Sequence, residues 1–312
     1  CGPTVVEWGS DEQKTRYLRP LFTGEEIWCQ LFSEPGSGSD FAGLSAKGVK
    51  DGDEWIANGQ KVWTTLAHLS RWGLLVVRTN PEAVKHAGLT AFVVDMHAPG
   101  VEVRPLRQMT GEAEFNEVYF TDVRIPEKEM LGKPGDGWRV SLTTLMNERV
   151  AIGGVVPPRG SGTIASLTKI WATMDDARKD EATRDELMKL WIRAEVLRLT
   201  NIRAGQNRKM GVPGPEGSIG KMESANLNKA IYEFAMNLLG PEGMLYGSYE
   251  MIRPDTAMGF ETYQKAFLRS RANSIEGGTT EVMKNILGER VLGLPGDARV
   301  DRDVPWSQVP RN

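Results

Sequence analysis

Three stretches of the chain combine residue types and spacings that suit chemistry. The first is Trp28-Cys29-Gln30-Leu31-Phe32-Ser33-Glu34-Pro35-Gly36-Ser37-Gly38-Ser39-Asp40, an apolar run that breaks into a loop with two glycines, three serines and a proline. Glycines let the backbone approach a ligand, and exposed N–H groups with Ser hydroxyls suit a phosphate or a flat polar ring. The same residues also make an ordinary solvated turn. The second is Glu148, in Met146-Asn147-Glu148-Arg149-Val150-Ala151-Ile152-Gly153-Gly154. On a helix it lies about 60° from Leu145 and about 40° from Ile152, at the edge of an apolar stripe. Partial desolvation there raises proton affinity and suits a general base. A Glu-Arg pair on a solvated helix end is the alternative, and the pattern alone favours it. The third is Ser274-Ile275-Glu276-Gly277-Gly278-Thr279-Thr280-Glu281, a glycine-rich turn feeding a helix. Its N–H groups can grip a carbonyl or phosphate, or it is a simple cap with Thr279 or Thr280 as N-cap.

Two other glycine patterns carry less. Gly160-Ser161-Gly162-Thr163-Ile164-Ala165 has the spacing of a dinucleotide fingerprint, but Pro157-Pro158-Arg159 precedes it where that fingerprint needs a strand. A helix–helix connection is expected instead. Gly240-Pro241-Glu242-Gly243 reads as the C-cap of a long helix.

The elements that must position these residues follow from periodicity and turn signals. Residues 1–25 read as a short helical piece of something larger, capped by Ser10 or Asp11 and stopped at Pro20. Residues 26–132 carry strand signals. Ala46–Val49 and Trp55–Ala57 flank Lys50-Asp51-Gly52-Asp53, a strong hairpin cue, and a second turn is expected at Asn58-Gly59. Further runs at 73–77, 90–95, 101–103 and 117–120 complete a compact antiparallel barrel or sandwich. Residues 133–294 are helical, with segments near 162–174, 184–206, 219–239, 264–272 and 280–291. The first helix, carrying Trp138, Leu142, Leu145 and Ile152, is expected to end at Gly153-Gly154 and Pro157-Pro158. Residues 295–312 read as an extended tail.

Composition narrows the function classes. The chain has 312 residues and a net charge of −3, with no basic stripe for a nucleic-acid partner. No apolar run approaches the ~20 residues of a membrane helix, so no membrane insertion is expected. Cys1 and Cys29 are the two cysteines, which points to a reducing compartment rather than a disulfide framework. His68, His86 and His97 form no pair at metal-ligand spacing, so no metal is expected. The chain begins at Cys1, inside a patterned segment, and is expected to lack an N-terminal part.

Taken together, the motifs resemble the acyl-CoA dehydrogenase family over about Pro3 to Leu292. The resemblance is carried by Ser33-Glu34-Pro35-Gly36-Ser37-Gly38-Ser39-Asp40, Asn58-Gly59-Gln60-Lys61-Val62-Trp63-Thr64-Thr65, Phe120-Thr121-Asp122-Val123-Arg124-Ile125-Pro126, Glu148-Arg149 and Gly277-Gly278-Thr279-Thr280-Glu281-Val282, in family order. It implies an α+β fold. Residues 1–25 would be the end of an N-terminal helical domain, most of which is missing. Residues 26–132 would be the middle β-domain and 133–294 a C-terminal four-helix bundle, in a chain that assembles as tetramers.

The resemblance also implies an activity: FAD-dependent α,β-dehydrogenation of an acyl-CoA to a trans-2-enoyl-CoA, with hydride passing to flavin N5. Gln30, Leu31, Phe32, Ser33, Gly38 and Ser39, with Trp63, Thr64 and Thr65, would hold the isoalloxazine ring. Thr279 and Glu281 would meet the phosphate and adenosine side, with Asn237, Leu238 and Gly240 from a neighbouring subunit. Ser39, Leu145, Arg149, Glu276 and Gly277 would border the substrate, and the Gly277 N–H would face the thioester oxygen. Family members carry the catalytic base at one of two places. Many have Glu at the position matched by Gly277, which has no side chain. Isovaleryl-CoA and long-chain members have it where this chain has Glu148, so Glu148 is the implied base and Glu276 a decoy.

Partners follow the same way: an acyl-CoA substrate, an electron-transfer flavoprotein, and a homo- or hetero-oligomer, in the cytoplasm or mitochondrial matrix. The family's Arg-x-x-Phe-Gly motif is absent from residues 170–190, where Arg178 or Arg184 would have to stand in. That departure keeps a half-site subunit of a hetero-oligomer as an alternative. An acyl-CoA oxidase or flavin monooxygenase on the same fold is the other.

Overall fold

The hairpin expected around Asp51-Gly52 forms, with Gly52-Asp53 as its two-residue loop. Gly52 has φ +64° and Asp51 pairs with Glu54 across a two-residue loop. In the computed structural model the described residues are 1–152, 156–176, 179–210, 214–255, 262–296, 298–299 and 301–310, with the backbone alone for 149–152. Packing divides the chain into two units. The first holds Cys1–Asn147, Glu250–Met258 and Ala298–Asn312, and the second Glu148–Tyr249 and Gly259–Asp297.

The first unit is built on an eight-stranded sheet in the order β6-β7-β3-β2-β4-β5-β8, with β1 beside β4. The strands are β1 Trp28–Leu31, β2 Lys47–Asp51, β3 Glu54–Thr65, β4 Trp72–Arg78, β5 Leu89–Asp95, β6 Val101–Pro105, β7 Phe115–Pro126 and β8 Met130–Leu131. Most pairs are antiparallel, as expected; β1 and β2 pair with β4 in parallel, which makes the sheet mixed. The continuous apolar runs of β4 and β5 are explained by burial on both faces. Leu75, Val77, Phe92 and Val94 join Trp55, Val118 and Ile125 in one core. Leu74, Val76, Ala91 and Val93 join Val5, Tyr17 and Val140 in another, from helices α1 (Gly2–Trp8), α2 (Asp11–Thr23) and α3 (Gly137–Ile152).

Three local expectations need correction. Pro20 does not stop α2; the helix runs on to Thr23 and ends at Gly24, φ +75°. Its N-terminus is fixed by a capping box, with Ser10 and Gln13 exchanging hydrogen bonds. The last turn packs on α1: a β-carbon on Gly2 would strike the Phe22 ring at 2.8 Å. Such packing outweighs the ~3 kcal/mol that an internal proline costs a helix.

Asn58-Gly59 is not a turn but an irregularity inside β3, where the pairing with β7 shifts between Ala57 and Gly59. Gly59 lies so close to the residue preceding β2 that a β-carbon would come within 2.6 Å of the Ala46 β-carbon. Asn58 exchanges two 3.0 Å hydrogen bonds with Asp122, which holds φ +50°.

The tail from 295 is not simply extended. Its residues 301–309 dock on the sheet unit, with Trp306 buried. Residues 250–255 dock there too. The Ala113 N–H donates to Ile252 O, and Arg253 Nη2 donates to Asn116 Oδ1 at 2.7 Å.

The second unit is helical: α4 Thr163–Thr173, α5 Glu181–Lys209, α6 Glu216–Leu239, α7 Tyr263–Ser270 and α8 Thr280–Ile286. Ile164, Leu167, Ile170, Leu187, Leu190, Leu227, Ile231 and Leu238 form its core. Their three- and four-residue spacing on α4, α5 and α6 is the periodicity expected of bundle helices. Gly160 and Gly162 form a turn entering α4, as the rejection of the dinucleotide motif requires, and Gly240 (φ +60°) caps α6. The expected helix end at Gly153-Gly154 falls outside the described residues.

Candidate active site

In the sheet unit, β1 delivers the loop at 33–46 as expected, and a buried ion pair that the sequence reading missed holds it. Lys61 Nζ donates to Glu34 Oε1 at 2.8 Å and to Phe32 O at 3.1 Å, with the lysine side chain fully buried. Glu34 also accepts from Ser45 N, Ser45 Oγ and Ala46 N at 2.6–3.0 Å. Burial pushes the Glu34 carboxyl up, but Lys61 and these donors together pull it below its ordinary value. Burial lowers the Lys61 ammonium. One signal was available: Lys61 stands on the inward phase set by Trp55 and Ala57, and a buried cation needs a buried anion.

The loop surface divides between inward and outward groups. Leu31 and Phe32 are buried, so they can offer a ligand only main-chain groups, and Thr64 is buried beside them. Ser37 is turned inward and donates to Asp40 O at 2.7 Å. Gly36, Gly38 and Ser39 are exposed, and a β-carbon on either glycine would meet open space. Gln30, Ser33 and Thr65 are half-buried. Trp63 is 57% exposed and holds φ +59°, where β3 shifts register between Lys61 and Thr64. A bulky residue in that conformation marks stored strain, which concentrates at functional positions.

In the helical unit, the turn before α8 converges on Glu148. Gly277 has φ +62° and Gly278 φ +94°. A β-carbon placed on Gly277 would lie 3.6 Å from Glu148 Oε1 and 4.0 Å from Lys221 Cε. The two places at which the family resemblance puts a base therefore meet at one point of the fold. Lys221, on α6, was also missed. Its Nζ donates to Asn273 O at 2.9 Å and to Gly278 O at 2.5 Å, tying the two ends of the turn, and burial lowers its pKa.

Glu276 is otherwise engaged. Arg269 donates to both its oxygens at 3.0 and 2.8 Å, and Asn273 Nδ2 donates to Oε1 at 2.8 Å. Its carboxylate faces this cluster, so it offers a substrate only its backbone. Thr279 caps α8, its hydroxyl accepting from Val282 N at 3.1 Å, which leaves Glu281 exposed in the first turn. Asn237 is exposed and Leu238 is buried in the helical core. Leu145 packs against the core of the first unit. The Arg149 side chain and Arg178 lie outside the described residues, and Arg184 opens α5 near its N-cap Asp180.

Cys29 and two of the histidines are engaged in packing or hydrogen bonds. Burial pushes the Cys29 thiol up to about 12. His86 packs edge-on against Trp138, and His68 lies beside Asn116. Among the described residues no acid, Cys and His cluster could hold a metal, and no helix is long and apolar enough to cross a membrane.

Known proteins match both units. The profile of the acyl-CoA dehydrogenase middle domain matches residues 29–123, and that of the acyl-CoA dehydrogenase C-terminal domain matches residues 135–292. The chain belongs to the acyl-CoA dehydrogenase family. It is 38% identical to acyl-CoA dehydrogenase IpdE1 of Mycobacterium tuberculosis over 301 residues, covering 96% of this chain and 74% of the relative. The ChsE4-ChsE5 complex from Mycobacterium tuberculosis is similar in structure, with TM-score 0.80 and 30% identity, over 95% of this chain and 76% of that one. So is the Tcur3481-Tcur3483 steroid ACAD, with TM-score 0.82 and 26% identity, over 95% and 75%. As an acyl-CoA dehydrogenase the protein is a flavin-dependent oxidoreductase of lipid metabolism, with FAD as its cofactor.

The residues present fit that cofactor. Gly36 and Gly38 carry no positive φ and have open space around them, which leaves room for a close-approaching group. The exposed, strained Trp63 offers a flat apolar face. Thr64 Oγ1 is a buried hydroxyl without a hydrogen-bond partner among the described residues.

Proposed function

We propose that the protein removes hydrogen across the α,β bond of an acyl-CoA thioester, with Glu148 as the base. The observation that carries this is the 3.6 Å approach of Glu148 Oε1 to the point where a side chain on Gly277 would begin. A glycine there leaves room for the carboxylate and for substrate. Glu148 takes the α-proton as the α,β double bond forms. Negative charge builds on the thioester oxygen, and the Gly277 N–H stabilises it as a preorganised donor. Lys221 keeps that N–H in place by anchoring the turn at Asn273 and Gly278. By the family resemblance, Leu145, one turn before Glu148, would border the acyl thioester. The chemistry supplied by bound FAD is acceptance of the β-hydrogen as hydride. By the same resemblance, residues 30–39 and 63–65 would hold the flavin ring, Thr279 and Glu281 would meet the phosphate and adenosine side, and residues 237–240 would do so from a neighbouring subunit. The electrons leave to an electron-transfer flavoprotein; rapid reaction with oxygen would identify an oxidase instead.

The test is a visible spectrum of the FAD-loaded protein during anaerobic addition of a panel of acyl-CoAs. One of them is expected to bleach the flavin band. Glu148→Gln should keep FAD and slow bleaching about 10²–10⁴-fold, the usual worth of a general base. Bleaching at the wild-type rate in that variant would overturn the assignment.

A second feature favours work in a hetero-oligomer. The ChsE4-ChsE5 structure, 30% identical to this chain, is a complex. The missing Arg-x-x-Phe-Gly motif would then be supplied by a sister subunit. Flavin content that rises when such a chain is co-purified supports this; full flavin content in the homo-oligomer rejects it.

A further inference from the structure

The segment 301–309 reaches the candidate flavin loop through two buried cations. Arg78, at the end of β4, is 3% exposed. Its N–H groups donate to Ala42 O at 2.6 Å, Leu44 O at 3.1 Å and Lys85 O at 3.1 Å. It thus binds the main chain just past the loop glycines. The Trp306 ring covers the guanidinium, 4.1 Å from centroid to Cζ. Trp306 is itself set by the chain at 81–84: Trp306 N donates to Ala83 O, Ser307 N donates to Pro81 O, and Pro305 bridges Val84.

Lys85 is the second cation. Its Nζ lies 2.7 Å from Asp40 Oδ2 and 2.5 Å from Asp301 Oδ2. Asp40 is the last residue of the loop motif, and its carboxylate folds over Gly43. The loop is therefore gripped at residues 40, 42 and 44, and each grip is backed from 301–309. A cation stacked on an aromatic face gains energy when water is excluded. An amine between two carboxylates is held more firmly than by one exposed carboxylate.

We propose that Asp301 and Trp306 are positioning residues for FAD. They act through Lys85 and Arg78 on residues 40–44 and so restrain the loop at 36–46. Gly36 and Gly38 have open space around them and cannot restrain themselves. A loop ordered beforehand binds its ligand with less entropy lost. The proposal rests on the reading of residues 30–39 as an FAD-holding loop.

The experiment uses the full chain, as Trp306→Ala, Asp301→Asn, the conservative Trp306→Phe and Asp301→Glu, and Gln308→Ala as a control on the same segment. Amide exchange is followed without FAD, and FAD affinity is titrated separately by flavin fluorescence. Trp306→Ala and Asp301→Asn should speed exchange over 36–46 about tenfold while leaving β3 and β5 unchanged. They should weaken FAD binding about five- to twentyfold, with Phe, Glu and the control near wild type. Unchanged exchange over 36–46 in Asp301→Asn, which removes only the charge of a half-buried carboxylate, would overturn the strap. Faster exchange with unaltered FAD affinity would instead show that this loop does not hold FAD, and would overturn the positioning role.

Discussion

The loop at 33–46 and the turn at 273–280 are both glycine-rich and both border the proposed chemistry, but they are braced differently. In the loop, the Glu34 carboxylate accepts from Lys61, Ser45 and Ala46 in a nearly dry setting. In the turn, one half-buried Lys221 spans Asn273 and Gly278, and both glycines carry positive φ. A buried pair fixes a loop at the cost of desolvating two charges, and losing one partner strands the other. A single lysine on carbonyls is a weaker brace whose loss is local. Stability should therefore depend more on the loop, and catalysis more on the turn.

The largest expected effect on stability is Lys61→Met, which strands the Glu34 carboxylate. It should cost about 3–5 kcal/mol in urea unfolding, and the double variant Lys61→Met/Glu34→Leu should recover much of it. A cost under about 1 kcal/mol would mean that water reaches the pair. Next is Lys221→Met, which removes the donor from two carbonyls. It should cost about 1–3 kcal/mol and slow flavin bleaching about 10–100-fold, with FAD affinity nearly unchanged. If stability falls as far as in Lys61→Met, the contrast between the two braces fails.

Smaller still is Gly277→Ala. Its β-carbon meets only ordinary contacts at 3.6–4.0 Å, so the cost is the positive φ, about 1 kcal/mol of thermal stability. The smallest effect at neutral pH is that of protonating Glu34. Its folded pKa lies below the ordinary 4.5, so its contribution is complete above about pH 4.5 and is lost as pH falls through the lower folded value. Urea midpoints between pH 6 and 3 should decline for the wild type, and Glu34→Gln should flatten that decline.

Much of the fold was legible in local pattern. The strand delivering the 33–40 loop, the Asp51-Gly52 hairpin, the Thr279 cap and the long helices α5 and α6 follow from period and turn chemistry. Pro20 and Asn58-Gly59 misled because both are strong local punctuators that packing overrode. The first is held in its helix by contacts on α1, and the second is drawn into β3 by the nearness of Ala46. The 295–312 stretch looked extended because its Pro, Asp and Arg residues have no period, while its anchor is one tryptophan on a distant arginine.

The residue types alone determined the chemistry available: a carboxylate at an apolar edge, a side-chain-free Gly277 and an exposed glycine loop. These are properties of residues and their near neighbours along the chain. Only tertiary structure decided that Glu148 and Gly277 meet, that Glu276 belongs to Arg269, and that Lys61, Lys221 and Lys85 brace the loop and the turn. Those contacts join residues 7 to 129 positions apart, and a side chain's charge says that it needs a partner without saying which one the fold supplies.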